Sequence, residues 1–381
     1  MIYFDNAATT CPKPEPVYRR MEQAMREAVN LGRGSYQAAR KGTDLADDVR
    51  NRLLALCRGQ DQYQVVFSPS ATIAVNQIIW GVESSRMKRI YLSPYEHNAV
   101  ARTVHALAKR YAIQVVLLPV CEDGIIDLTQ TAWMFIQSPP DLLCMTVVSN
   151  VTGYVLPIAE LTALAKQAGA KVLLDGAQAV GLLPLNLQQL QPDYLVFAGH
   201  KTLYGPFGVG GFFLKKEDVL QPVLYGGTGT NSLNLEMPAF GIGQYEPGSP
   251  DYTAIAGLGA ALEWLEQTGT AHLLAEEQRL TGLLHRQLSA IEGVTVLGMT
   301  QPSTGITAFC VDGYAPEEVG QILDEEFDLA VRTGYHCAPY VHDVIGSRQT
   351  KGCVRASVGA FTTEAEIEKL VEAVRDIAEE R

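Results

Sequence analysis

The chain has 381 residues, of which 47% are apolar and 19% are charged, a composition that is ordinary for a globular protein large enough for two domains. Its net charge of −12, without a basic cluster, argues against a nucleic-acid partner, and its apolar runs are too short to span a membrane. No signal peptide is recognisable in the first residues, so we expect a cytoplasmic protein.

The predicted elements alternate between strands and helices. Helices are expected after Pro14 and up to Leu56, and helical segments at 71–80, 99–111 and 158–168 separate short apolar runs. These runs predict strands at 65–67, 89–93, 114–118, 142–149, 172–175, 194–198 and 210–214. The alternation predicts a mostly parallel sheet with helices on both faces.

A Gly-, Pro- and Ser-rich region at 226–250 interrupts this pattern and predicts loops near a site or an interface. The helices and strands expected after it form a smaller α/β unit. We therefore expect an α/β fold with a large domain at 14–255 and a small C-terminal domain at 256–381, with residues 1–13 packing near the small domain.

Seven scattered cysteines without a Cys-x-x-Cys pair favour a reducing compartment and give no indication of a metal site. Two of them, Cys144 and Cys310, lie in apolar runs that predict buried strands. Cys337 is different, because it lies in a turn-rich polar segment that includes Arg332 and His336, and cationic neighbours favour a thiolate.

Five predicted strands each deliver a polar residue to the carboxyl edge of the sheet, where α/β folds bind their ligands. Each residue has an ordinary explanation as a helix cap, a loop histidine or a surface lysine. Five separate capping or surface roles explain poorly why all five residues lie at one edge of the sheet. We therefore expect a ligand site formed by Thr72, His97, Asn150, Asp175 and Lys201.

The combination of Asp175 and Lys201 is the equipment that proteins use for pyridoxal 5'-phosphate (PLP), with a lysine for the Schiff base and a carboxylate for the pyridinium nitrogen. The strand that ends at Phe67 is followed by Ser70, Thr72 and a helix. Free N–H groups at that helix N-terminus, together with the two hydroxyls, would hold a phosphate.

Six motifs resemble the cysteine desulfurases and selenocysteine lyases, which are class V, fold-type I PLP enzymes. The resemblance extends from the first predicted strand to the last helix. The short, arginine-containing approach to Cys337 resembles the branch that includes the selenocysteine lyases. The motifs are residues 5–10 (DNAATT), 95–98 (YEHN), 149–151 (SNV), 175–178 (DGAQ), 199–201 (GHK) and 332–338 (RTGYHCA).

The resemblance implies a role for each cofactor-site residue. Lys201 carries PLP and moves protons, Asp175 pairs with the pyridinium nitrogen, and Gln178 bonds the phenolic oxygen. His97 stacks on the ring and acts as acid or base. The phosphate is held by Ser70, Ala71, Thr72 and His200, together with Ser249 of a neighbouring subunit in a homodimer.

The resemblance also implies the reaction. Asn150 and Arg355 bind the substrate carboxylate, Arg332 assists near the nucleophile, and the Cys337 thiolate takes the sulfur of L-cysteine as a persulfide, leaving alanine. Cys353 is interpreted as structural, with a second sulfur carrier as the alternative. A sulfur-acceptor protein is expected, and iron–sulfur cluster assembly, tRNA thiolation and a small shuttle protein all stay open.

Three other interpretations stay open at this point. A selenocysteine lyase uses the same residues. An aminotransferase or a β-lyase of the same fold would not need Cys337. A non-enzymatic scaffold would lack the cofactor, although the Asp175 and Lys201 combination argues against it.

Overall fold

The computed structural model describes residues 1–28, 34, 36–82, 87–229, 232–298 and 304–380. Its largest element is a seven-stranded sheet in which every strand is parallel except the strand Gly210–Lys215, which is antiparallel to both of its neighbours. The predicted α/β fold with a mostly parallel sheet is confirmed. From edge to edge the strands are β2 (Tyr63–Ser68), β8 (Gly210–Lys215), β7 (Tyr194–Ala198), β6 (Lys171–Asp175), β5 (Leu142–Thr146), β3 (Arg89–Leu92) and β4 (Gln114–Leu117).

Helices cover both faces of this sheet. On one face lie α3 (Ala71–Gly81) and α4 (Asn98–Tyr111). The other face is covered mainly by α2 (Gln37–Leu56), α5 (Leu128–Gln137), α6 (Ile158–Gln167) and α8 (Tyr252–Thr268). The central strands are buried on both sides, which explains why β6 and β7 are almost continuously apolar. None of the described helices is both long and apolar enough to cross a bilayer.

A second, antiparallel sheet forms the smaller unit. Its strands, in order, are β12 (Arg332–Gly334), β13 (Cys353–Ser357), β10 (Ile306–Val311) and β9 (Val294–Leu297). The helices α9 (Thr270–Ser289), α10 (Pro316–Phe327) and α12 (Glu364–Glu379) contribute to its core. The first strand, β1 (Ile2–Tyr3), pairs with β11 (Leu329–Ala330), which attaches the N-terminal segment to this unit. The shorter helices are α1 (Glu15–Glu27), α7 (Leu187–Leu190) and α11 (Val341–Val344).

The expected domain boundary between residues 255 and 256 falls inside α8. This helix packs against α1 and α2, and a Cβ atom at Gly257 would lie 2.7 Å from the Cγ atom of Met21. The close approach of α8 to α1 places most of α8 with the large sheet, and α9 then leads into the smaller unit.

A buried carboxyl group lies between the two units. Glu277 of α9 is 6% exposed, and its Oε1 accepts a 3.4 Å hydrogen bond from the hydroxyl of Tyr204, three residues after Lys201. The same hydroxyl accepts a 2.8 Å hydrogen bond from the amide of Ala360 in the smaller unit. Burial raises the pKa of Glu277 to about 8, so this carboxyl is protonated at neutral pH.

Replacing Glu277 by glutamine is expected to remove a pH dependence of stability. An unfolded glutamate has a pKa of ~4.3, whereas burial raises the pKa of folded Glu277 to about 8. The contribution of Glu277 to the unfolding free energy is therefore complete in acid and is lost as the pH rises toward 8. Between pH 5 and 8 the unfolding free energy of the wild type should fall relative to that of Glu277→Gln by up to ~1.4 kcal/mol per pH unit. Urea denaturation at several pH values measures this difference. The exposed Glu326→Gln control should follow the wild type, and an unchanged slope in Glu277→Gln would contradict the assignment.

Candidate active site

A cavity of about 220 Å³ lies at the carboxyl edge of the large sheet. It lies where β2, β5, β6 and β7 end, and the segment after β1 closes it with Ala7 and Ala8. The smaller unit contributes Arg332 and Arg355. The structure brings most of the predicted site residues together here: Ser70, Ala71, Thr72, His97, Asn150, Asp175, Gln178, His200, Lys201, Arg332 and Arg355 all line the cavity.

Two predicted residues lie elsewhere. Cys337 lies in an adjoining cleft, and Arg332 lines both the cleft and the cavity. Ser249 lines a separate surface depression with Tyr245 and Glu246 and does not line the cavity of its own chain.

Asp175 and Gln178 are fixed by backbone contacts. Asp175 ends β6 and is buried, and its Oδ1 accepts a 3.0 Å hydrogen bond from the amide of Ala177. Its Oδ2 has no partner among the described residues. The Nε2 of Gln178 donates to the carbonyl of Ala7 at 2.7 Å, which ties the N-terminal segment to the site. Each side chain therefore keeps one polar oxygen for a ligand.

Lys201 follows β7 and is partly buried in the cavity. Burial lowers its pKa to about 8, with Asp175 opposing the shift and the positive charge of Arg355 adding to it. A substantial fraction of the amine is therefore neutral near physiological pH, as a nucleophilic or basic lysine requires.

His97 forms the N-cap of α4. Its Nδ1 accepts a 3.0 Å hydrogen bond from the amide of Ala99, so the proton of the neutral ring lies on Nε2. Burial, reinforced by the positive charge of Lys201, lowers the pKa of His97 to about 4. The imidazole is thus a neutral, orientationally fixed ring at the cavity wall.

The N-terminus of α3 forms one end of the cavity. The Ser70 hydroxyl accepts a 3.3 Å hydrogen bond from the amide of Ile73 and caps the helix, while the amides of Ala71 and Thr72 have no partner among the described residues. A Cβ atom at Gly210 would lie 2.8 Å from the nitrogen of Ala71, so only glycine leaves this turn undisturbed. Free N–H groups at a helix N-terminus suit an anion.

His200 adds another polar group to the lining of the same cavity. Its ring stacks on Phe207 with centroids 4.7 Å apart, and its buried Nδ1 has no hydrogen-bond partner in the described part of the chain. Burial lowers the pKa of His200 to about 4, so the ring is neutral. An orphaned buried nitrogen beside free helix amides fits the phosphate end of PLP, and Asp175 with Lys201 fits the ring end.

Arg355 is fully buried under the cavity. Its Nη2 donates to Oδ1 of Asp5 at 2.5 Å and its Nη1 donates to the carbonyl of Asn150 at 2.8 Å, while the buried Nε has no partner among the residues described. The Nδ2 of Asn150 in turn donates to the carbonyl of His336 at 2.8 Å. Local sequence pattern predicts no pairing for Asp5, because its partner lies 350 positions away in the chain.

Two hydrogen bonds hold the Cys337 turn. His336 and Cys337 have φ angles of 48° and 56°, in the left-handed region that non-glycine residues rarely occupy. The carbonyl of Cys337 accepts a 2.7 Å hydrogen bond from the amide of Asn98 at the start of α4. The Nη2 of Arg332 donates to the Sγ of Cys337 at 3.5 Å, so a cation lies beside an exposed sulfur.

Cys353 lies behind this turn. Its side chain is fully buried and its Sγ is 3.4 Å from Nε2 of His336. Burial raises the pKa of the Cys353 thiol well above its ordinary value. An inaccessible, protonated thiol favours the structural interpretation of Cys353 over a second sulfur carrier.

Asp5→Asn is expected to destabilise the protein, because it leaves the buried Arg355 guanidinium without its carboxylate partner. Removing one member of a buried pair costs about 3 kcal/mol. Urea denaturation of the wild type and the variant measures the change in unfolding free energy. The exposed pair of Glu22 and Arg26 supplies the control, since Glu22→Gln should cost less than about 1 kcal/mol. Equal costs for the two variants would contradict the role given to Asp5.

Comparison with known proteins identifies the family of this chain. Residues 2–370 match the Aminotransferase class-V family. The chain is 32% identical over 387 residues to a cysteine desulfurase of Escherichia coli (strain K12 / DH10B), covering 99% of this chain and 93% of the relative. It is also 32% identical to a cysteine desulfurase of Synechococcus elongatus, where the match covers 99% of this chain but only 60% of that longer relative.

Solved structures agree with the sequence comparison. The fold superimposes on an apo cysteine desulfurase from Thermococcus onnurineus with a TM-score of 0.90 at 26% identity, covering 100% of this chain and 95% of the other. For a cysteine desulfurase from Escherichia coli in an S-sulfonic acid form, the TM-score is 0.85 at 27% identity, with 99% and 94% covered. The chain belongs to the Aminotransferase class-V family, among the cysteine desulfurases.

Proposed function

We propose that this protein binds PLP and converts L-cysteine to L-alanine, transferring the substrate sulfur to Cys337 as a persulfide. One observation carries the proposal: Asp175, Gln178 and Lys201 line a single cavity, and Arg332 joins that cavity to the exposed thiol of Cys337. A binding protein would have no need of a lysine with a lowered pKa in a cavity that adjoins such a thiol.

The residues that would hold PLP divide the cavity into two ends. Ser70, Ala71, Thr72 and His200 form the anion-binding end, and Asp175 with Gln178 lies toward the ring. When bound, PLP supplies an electron sink for negative charge at the Cα atom of the substrate. The neutral ring of His97 offers a flat surface at the cavity wall.

Lys201 is the group that moves protons. Because its pKa is lowered to about 8, its Nζ can take a proton and return it near neutral pH with little energetic cost. Burial lowers the pKa values of His97 and His200 to about 4, so both imidazoles are unprotonated near neutral pH. The acid–base role expected for His97 stays a prediction.

Arg355 is proposed to bind the carboxylate of the substrate. Asp5 and the carbonyl of Asn150 fix its guanidinium in place, and its remaining N–H groups, including the orphaned Nε–H, are free for an anion. Asn150 lines the cavity and uses its amide nitrogen to hold the Cys337 turn, so its Oδ1 is the side-chain atom proposed to meet the substrate.

Cys337 accepts the sulfur. Its thiolate attacks the sulfur of the substrate, an S–S bond forms as the C–S bond breaks, and protonation of the carbon product completes alanine. Cysteine and the Cys337 thiol thus become alanine and a persulfide, with no external oxidant. Arg332 donates a hydrogen bond to the Cys337 sulfur at 3.5 Å and orients it for the attack.

We also propose a homodimer in the cytoplasm. Four large apolar side chains between residues 225 and 240 are at least 74% exposed, which supports burial against a second subunit: Tyr225, Leu233, Leu235 and Phe240. The position of Ser249 outside the cavity of its own chain is compatible with a role at the phosphate of its neighbour. All seven cysteines are free thiols, which supports a reducing compartment.

Lys201→Ala is expected to abolish the covalent attachment of the cofactor and to lower turnover at least about a hundredfold, because the proton-moving amine is lost. Borohydride reduction followed by peptide mass spectrometry detects the lysine adduct in the wild type. The exposed Lys216→Ala variant serves as control and should retain the adduct. A reducible adduct on another lysine of Lys201→Ala would contradict the assignment.

Cys337→Ser is expected to abolish the release of sulfur from L-cysteine, because serine cannot form a persulfide. Paired quantification of alanine and sulfide in the presence of a reductant measures the effect, with Cys121→Ser as an exposed-cysteine control. Equal amounts of both products are expected in the wild type and in the control. Pyruvate in place of alanine, or activity indifferent to Cys337→Ser, would refute the proposed reaction while leaving PLP binding intact. Parallel assays with L-selenocysteine decide the substrate preference.

A further inference from the structure

The cleft that contains Cys337 has a volume of about 750 Å³, which is the size of a small-molecule site. We call it the Cys337 cleft. One wall is α4, and the other walls belong to the segment from β12 to just beyond α11. Asn98, Arg102 and His105 are spaced at i, i+4 and i+7 on α4, so one face of this helix points into the cleft.

The lining of the Cys337 cleft is cationic. Arg102, Arg332 and Arg348 line it together with His105 and His342, and none of the described lining residues carries a carboxylate. Arg348 is paired with Asp343 at 2.5 Å, whereas Arg102 has no ion pair with any described residue and Arg332 contacts the Cys337 sulfur. The guanidinium groups of Arg102 and Arg332 are therefore available to bind an anion that enters the cleft.

This cationic cleft lies on a strongly acidic protein with a net charge of −12. The Debye length is about 8 Å at physiological ionic strength, so a small anion inside the cleft interacts mainly with the nearby arginines. An acidic protein partner would cover a wider area and would be repelled by the overall negative charge. The charge distribution therefore favours a small anionic molecule over an acidic protein.

We propose that the Cys337 cleft binds a small thiol bearing a carboxylate, and that this thiol accepts the sulfur from Cys337. The inference rests on the proposed function of Cys337 as sulfur carrier. The acceptor thiolate attacks the outer sulfur of the Cys337 persulfide, and a new S–S bond forms. The old S–S bond breaks, its electron pair returns to the Cys337 sulfur, and the acceptor leaves as a persulfide. The exchange balances without an added oxidant or reductant.

The first experiment measures discharge of the persulfide in a single turnover. The holoenzyme is loaded with ³⁵S from labelled L-cysteine, freed of substrate, and mixed with 3-mercaptopropionate or with the neutral 2-mercaptoethanol at equal thiolate concentrations. The carboxylate-bearing thiol is expected to remove the label about tenfold faster. In Arg102→Glu the two rates should become similar, whereas the charge reversal Lys109→Glu, on the same helix but outside the cleft, should preserve the preference.

The second experiment does not depend on sulfur transfer. Alkylation of each cysteine by anionic iodoacetate and by neutral iodoacetamide is followed by peptide mass spectrometry, and the ratio of the two rates cancels the thiolate fraction. The ratio at Cys337 should exceed that at the exposed Cys11 and Cys121 about tenfold, and Arg102→Glu should remove the difference.

The outcomes separate the two proposals. Labelled persulfide on Cys337 that both thiols discharge equally, or an alkylation ratio at Cys337 that matches Cys11 and Cys121, overturns the anionic-thiol acceptor and leaves the proposed reaction standing. Failure of the active holoenzyme to place label on Cys337 overturns the proposed sulfur-carrier function, and the acceptor role with it. Faster discharge by 3-mercaptopropionate that survives Arg102→Glu also overturns the assignment of the acceptor site to the Cys337 cleft.

Discussion

The buried pair of Arg355 and Asp5 is the contact on which the site depends. A fully buried guanidinium is costly unless it is compensated, and here the N-terminal segment supplies the carboxylate while Asn150 of the large sheet supplies a carbonyl. The same Asn150 holds the carbonyl of His336, next to Cys337. The need to compensate the buried charge of Arg355 thus connects the N-terminal segment, the large sheet, the small sheet and the turn that presents the reactive thiol.

Burial sets the protonation states around this pair. It lowers the pKa of Lys201 to about 8 and that of His97 to about 4, and the nearby positive charge of Arg355 lowers both further. The result is one amine near its useful protonation range and a neutral ring beside it. Cys337 instead needs exposure and a neighbouring positive charge. It is exposed next to Arg332, which lines both the cavity and the Cys337 cleft. The chain therefore separates a cavity in which Lys201 moves protons from an open, cationic cleft in which Cys337 accepts sulfur.

The amino-acid sequence was sufficient to predict the alternation of β-strands and helices, because parallel strands buried on both faces are apolar. The polar residues that bind a ligand then follow the ends of these strands. That constraint led to Thr72, His97, Asn150, Asp175 and Lys201, which the structure places around one cavity. The motifs also pointed to Cys337 as an exposed, reactive thiol, since its neighbours are polar and turn-forming.

The tertiary structure alone decided the contacts between distant segments. Asp5 meets Arg355 across 350 residues, and Tyr204 meets Glu277 across 73, distances at which no local periodicity carries information. The burial of Cys353 and the cationic lining of the Cys337 cleft likewise come from segments that are distant in the sequence. Sequence pattern determined which chemical groups reach the edge of the sheet, whereas desolvation and charge pairing, which depend on every neighbour in space, decided their protonation and accessibility.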